Sequence, residues 1–276
     1  MPYGYVTKVL QILDFPLGPL GPLGANFKEA FRYKKVDFFY NRKEGSDQLL
    51  VSFHAAKSRP KTPVPIFYRH DAEINNTSVL CLSDKLLELY KSRKLLLSWF
   101  ISVPKHDFLS IYIKIISAVI DHGNYKSVLF TGSSGGGYPA LIMASYFKRT
   151  CYIANSQIYL KNYHYFPEML SAIKVSESEV DTDINSFIEK HGPPKCVHIY
   201  CNINDTHHYQ NHFIPLVKFF EEKFPSHIKP VAFYGEQPGP NLNHHKINVA
   251  PGTSAMGIIT SILEQERAEI NERQEI

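Results

Sequence analysis

The chain has 276 residues, 44% of them hydrophobic and 20% charged, which excludes a disordered polypeptide and fits one domain of catalytic size. Its formal net charge of +4 is too mild to point to nucleic acid. No apolar run reaches the ~18 residues of a membrane-crossing helix, and the start of the chain lacks the pattern of a signal peptide.

Residues 1–35 read as an irregular N-terminal arm. Pro-Leu-Gly is repeated three times within Phe15–Gly24, and that density of Pro and Gly opposes both helix and sheet. From Val36 onward, apolar runs of strand length alternate with helical patterns. Val36–Tyr40, Leu49–Phe53 and Ser78–Leu82 read as strands, the last followed by Ser83-Asp84 as a helix start. Leu95–Val103 is apolar on both faces, as a buried strand would be. Asp107–Ile120 spaces Phe108, Ile111, Ile115, Ile116 and Val119 as a helix does. Ser127–Thr131, Thr150–Ala154, Cys196–Asn202 and Ile228–Tyr234 read as four further strands. Helices are expected over 140–147, 183–191, 213–224 and from about 253 into the charged tail. The Tyr-rich stretch 156–180 breaks the rhythm and is expected to form a small cap. The alternation predicts an α/β fold, a mostly parallel sheet with helices on both faces, over residues 36–276.

The strand Ser127–Thr131 runs into Thr131-Gly132-Ser133-Ser134-Gly135-Gly136-Gly137, which contains G-x-S-x-G centred on Ser134. A chain turning sharply from strand to helix needs small residues beside the turn. A serine placed there sits at the strand's carboxyl end, beside a helix N-terminus. The N–H of Gly135 would then face a developing oxyanion. A phosphate loop is the competing reading, but the Gly-Lys-Ser/Thr ending is missing. Ser133 is the rival nucleophile; the spacing of the glycines favours Ser134.

A serine nucleophile needs a general base and a carboxylate to orient that base. Asp205 lies just past the strand Cys196–Asn202, and His244 and His245 lie in the loop after Ile228–Tyr234. His245 is the preferred base and His244 the alternative, with Glu236 a weaker candidate acid. Asp205 could instead cap a helix. A second oxyanion donor is expected from the small-residue segment after Leu49–Phe53, at His54 or Ala55. Of the 13 histidines, five fall after the last two strands: His207, His208, His212, His244 and His245. His208 and His212, four apart, could join Asp205 at a metal ion. That would leave the serine turn unexplained, so no metal is expected. The cysteines, Cys81, Cys151, Cys196 and Cys201, form no C-x-x-C pair and read as reduced core thiols of a cytoplasmic protein.

These residues together resemble the α/β-hydrolase superfamily. The matching segments are His54-Ala55-Ala56 after a strand, Leu80–Asp84 followed by Trp99, Thr131–Leu141, Ile203–His208 and His244-His245. In particular the chain resembles serine-dependent proteins encoded with bacterial capsular polysaccharide genes, including O-acetyltransferases. Asn243 stands where that superfamily usually has Gly before the base, which leaves the choice between His244 and His245 open. The resemblance implies acyl transfer through an acyl-Ser134 intermediate with no bound cofactor. Acetyl-CoA would be the acyl donor and a glycan the acceptor; a carboxylesterase or deacetylase acting on a small ester uses the same triad. A non-catalytic binding protein of the same fold is the reading from another class.

Overall fold

The computed structural model describes residues 12–14, 27–56, 64–67, 74, 76–90, 95–235 and 252–272. In chain order its elements are β1 (Ile12–Asp14), β2 (Phe27–Tyr33), β3 (Val36–Arg42), β4 (Gln48–Phe53), β5 (Thr77–Leu82), α1 (Lys85–Leu89), α2 (Phe108–Gly123), β6 (Ser127–Ser133), α3 (Gly137–Phe147), β7 (Thr150–Ala154), α4 (Phe166–Ile173), α5 (Ile184–His191), β8 (Val197–Asn202), α6 (Thr206–His208), α7 (Ile214–Lys223), β9 (Ile228–Phe233) and α8 (Ala255–Glu272). They belong to two compact units, residues 1–125 with 160–183, and residues 126–159 with 184–276.

In the first unit the strands lie in the order β1-β2-β3-β5-β4. β4 and β5 are parallel; β2 and β3 form an antiparallel hairpin, and β3 runs antiparallel to β5. Every residue of β4 and β5 is buried, as strands covered on both faces must be. Helix α2 turns Phe108, Tyr112, Ile115, Ile116 and Val119 inward, and Asp107 caps its start by accepting from the Ser110 N–H at 3.1 Å. In the second unit β6, β7, β8 and β9 are adjacent and all parallel, so their carboxyl ends fall along one edge. Crossovers through α3, α5 and α7 make that arrangement possible.

Two expectations need correction. The arm 1–35 is not irregular throughout, because Phe27–Tyr33 forms β2 and pairs with β3. The chain reverses at Lys34-Lys35, so β2 gains a full ladder with a neighbour that the Pro-Leu-Gly repeats gave no hint of. Those repeats, at 16–24, lie outside the described residues. Leu95–Val103 is buried but is not a strand. Trp99 and Phe100 both take left-handed backbone angles, φ 51° and 58°, which costs a non-glycine residue about 1–2 kcal/mol each. The carboxylate of Asp84 holds them there. It accepts from the Ser98 N–H at 3.1 Å, the Ser98 hydroxyl at 2.6 Å and the Phe100 N–H at 3.2 Å. A side chain thus takes the backbone donors that a sheet ladder would have used.

Within the stretch 156–180, α4 packs its start against Trp99. Tyr163, Tyr165 and Phe166 stand 5.9–6.1 Å from the Trp99 ring, and the Tyr165 hydroxyl accepts from the Leu96 N–H. All four cysteines are free thiols, three buried and Cys196 half-buried. No helix among the described residues is long and apolar enough to cross a membrane.

Candidate active site

β6 ends at Ser133, and a 3-10 turn over Ser134–Gly136 leads directly into α3. Ser134 sits at φ 50°, in the left-handed region that disfavours a non-glycine residue. The glycines are there for room. A Cβ added to Gly132 would overlap the Gly136 carbonyl, and one added to Gly137 would overlap the Ser156 side chain. Strand and helix cross too closely for any side chain at those points. Ser134 is half-buried, and its Oγ accepts from the Gln157 side-chain amide at 3.0 Å. The Gln157 N–H also donates to the Ser134 carbonyl at 3.0 Å, so Gln157 grips the serine at two points.

Gln157 belongs to a short loop, Asn155–Gln157, that follows β7. Asn155 is a second non-glycine residue in the left-handed region, φ 41°, at the carboxyl end of the neighbouring strand. Its side chain faces β8. Oδ1 accepts from the Asn202 N–H at 2.7 Å, and Nδ2 donates to Asp205 Oδ2 at 3.4 Å. One loop therefore contacts both Ser134 and Asp205. Sequence reasoning missed Asn155 and Gln157. The available signal was a run of polar residues directly after an apolar strand, at the sheet edge where parallel α/β sheets place their sites.

Asp205 follows β8 and is buried, 7% exposed. It caps the helical stretch that follows, accepting from the His208 N–H at 3.3 Å, and its Oδ2 lies 2.9 Å from His208 Nδ1. Burial alone would raise its pKa. The His208 imidazole and N–H, with His207 behind them, outweigh burial and hold the carboxyl below its usual range. The imidazole beside the carboxylate is that of His208, three residues further on, and not one of the expected bases. The capping role read from sequence falls to this side chain.

His207, His208 and His212 form a triangle with ring centroids 5.4–5.7 Å apart. His212 is fully buried in the π-helical stretch Tyr209–Phe213, and its Nδ1 accepts from the Tyr159 N–H at 3.2 Å. Burial, with His208 and His207 nearby, lowers its pKa to about 3, so it stays neutral. Among the described residues, no group of three or more His, Cys, Asp or Glu side chains is arranged to hold a metal ion.

The carboxyl end of β9 is tied to that of β8. Asn202 Oδ1 accepts from the N–H groups of Gly235, at 2.9 Å, and Asn204, at 3.0 Å, and Asn204 Nδ2 donates to the Gly235 carbonyl at 2.6 Å. The chain after Gly235 carries Glu236, Asn243, His244 and His245, which lie outside the described residues. Gly135, next to Ser134, is buried in the first turn leading to α3. His54 and Ala55 follow β4 in the first unit. The His54 ring packs 5.0 Å from Phe100, its Nδ1 bonds the Ala55 carbonyl at 2.7 Å, and its Nε2 accepts from the Asp84 N–H at 3.2 Å. Its side chain is thus committed to the Asp84 loop.

No family model and no curated protein matches the sequence. Solved structures do match in fold. An esterase/lipase from an uncultured bacterium aligns with a TM-score of 0.54 at 12% identity, covering 88% of this chain and 86% of that one. The HSL-homolog EstE7 from a metagenome library gives 0.55 at 10% identity, over 88% and 87%. An esterase from the bacterial hormone-sensitive lipase family gives 0.54 at 12%, over 91% and 88%. The fold of this chain is that of the α/β hydrolases.

Proposed function

We propose that the protein is a serine carboxylester hydrolase. The observation that carries this reading is Ser134, held at φ 50° on a strand-to-helix turn, with Oγ anchored by a loop that also reaches the ionised Asp205. Ser134 attacks the ester carbonyl. His245, on the chain after β9, takes the serine proton and returns it to the leaving alcohol; His244 is the neighbouring alternative. Asp205 fixes the imidazole tautomer and stabilises the imidazolium. The Gly135 N–H, at a helix start, and a donor from His54 or Ala55 receive the oxyanion. Water then releases the acid from the acyl-serine. No cofactor enters these steps.

The esterases that share the fold support hydrolysis of a small ester as the first reading. O-acetyl transfer from acetyl-CoA to a capsular glycan runs through the same acyl-serine and is the second. Covalent labelling with a fluorophosphonate, followed by release of p-nitrophenol from short-chain esters, tests the site. Labelling of the wild type and its loss in Ser134→Ala are expected; equal labelling of both sinks the proposal. Transfer from acetyl-CoA to a sugar hydroxyl without ester turnover would reverse the order of the two readings.

A further inference from the structure

We infer that the first unit carries a binding site for an organic phosphate, a diphosphate joined to an apolar or planar group. The site is a cavity of about 370 Å³, at the small end of the range of ligand pockets. Lys34, Lys35, Lys85, Lys105, Lys114 and His106 all line it.

The positive charge in this cavity is only partly compensated: Asp107, which also lines it, offsets one of the cations. Lys85 is paired with Glu88, but no carboxylate among the described residues lies within ion-pair distance of Lys34, Lys35, Lys105 or Lys114. The two other carboxylates that feel these lysines are already engaged. Asp107 accepts from the Ser110 N–H and the Ser102 hydroxyl, and Glu179 accepts from the Ser176 N–H and hydroxyl. Four ammonium groups around one hollow repel each other, and an anion with two or more charges removes that repulsion.

The hairpin turn adds a second line of evidence. Tyr33 pairs with Val36, so Lys34 and Lys35 alone make the turn, with φ 45° and 73°. Such a two-residue turn is normally filled by Asn-Gly, which accepts positive φ without strain. Lysine at both positions is strained. The turn gives up stability to put two ammonium groups at the cavity. The floor is apolar. Phe108 and Ile111 of α2 line it beside Leu89, which is 41% exposed, and the His106 ring stacks on Phe108 at 5.3 Å. Cationic walls over an apolar and aromatic floor suit a phosphorylated ligand with a base or short chain attached, a nucleoside diphosphate being the simplest.

Isothermal titration of the whole protein with pyrophosphate, ADP, adenosine and coenzyme A tests this. ADP is expected to bind at ~150 mM salt and to weaken steeply as salt rises. The charge reversals Lys34→Glu/Lys35→Glu are expected to weaken it about tenfold or more. Lys105→Glu/Lys114→Glu, on a different element, should do the same and covers the case in which the hairpin variant fails to fold. Lys28→Glu, on an exposed position of β2, should leave affinity unchanged. ADP binding more tightly than pyrophosphate supports the apolar floor; coenzyme A binding more tightly than ADP assigns the larger nucleotide as the source. Adenosine binding as well as ADP, binding only to a long polyanion such as heparin, or affinity untouched by both charge reversals would overturn the inference.

Discussion

Asp84 and Asp205 are built from the same ingredients. Each follows a strand of the α/β sheet, each is buried, and each receives backbone N–H groups from a helix start or tight loop. They differ in what the second oxygen meets. Asp84 is fully enclosed and spends itself on Ser98 and Phe100; burial raises its pKa, against the pull of His54 and Ser98. Asp205 meets an imidazole, which holds its carboxyl below the usual range despite burial. The first holds a strained loop together. The second stands at an edge where four parallel strands end, joined to Ser134 only through the loop Asn155–Gln157. Burial alone sets the two acids to no single task; the imidazole of His208 against a carboxyl oxygen is what sets Asp205 apart.

The largest effect that tests this contrast is on rate. Ser134→Ala should lower ester hydrolysis about 10⁴-fold or more with unchanged thermal unfolding; residual turnover within tenfold of wild type would end the catalytic reading. Asp205→Asn should cost about 10²–10⁴-fold in kcat and, because Asn caps a helix start as well as Asp, no more than about 1 kcal/mol in stability. Asp84→Ala should show the reverse pattern in denaturant. Stability should fall by about 3–5 kcal/mol, because the donors of Ser98 and Phe100 lose their acceptor and the Trp99–Phe100 turn its anchor. If Asp84→Ala unfolds like wild type but is inactive, the two roles have been assigned to the wrong residues.

A further test is pH. His212 and His198 have pKa values lowered to about 3 and about 4, chiefly by burial. Both are neutral in the fold, while the unfolded chain protonates near pH ~6.5. Between those values the unfolded state binds more protons, so stability is complete above about pH 6.5 and declines as pH falls. Urea unfolding at several pH values should show that slope, and His212→Gln should flatten it. Gln157→Ala should have the smallest effect, a drop of about 5- to 30-fold in kcat with KM nearly unchanged, equivalent to one or two kcal/mol of lost positioning. A change confined to KM would mean that Gln157 contacts substrate rather than orienting the serine.

Most of the fold was legible in the sequence. The strands from Val36 to Phe233 and the helices α2, α3, α5, α7 and α8 follow from apolar spacing, because each buries a face of fixed period. Leu95–Val103 misled because a buried loop held by a side-chain carboxylate is as apolar as a buried strand. β2 was hidden because its turn is Lys-Lys, which carries no turn signal. At the site, G-x-S-x-G located the turn at Ser134, where a Cβ on Gly132 would overlap the Gly136 carbonyl. For Asn155 and Gln157 the polar run after β7 was the one signal, and it does not assign a role. Nothing local distinguishes a polar residue that grips a neighbouring strand from one that faces water.

Asn202 has a consequence for how this chain can change. Its N–H is held by Asn155, and its side chain sets where the backbone leaves β9 at Gly235. The acid's strand therefore fixes the starting point of the segment that bears His244 and His245, independently of that segment's own composition. On the proposed reading, one substitution at Asn202 is expected to disturb both the strand end before Asp205 and the exit of the chain at Gly235. A single side chain thus couples two strand ends that the sequence places more than thirty residues apart.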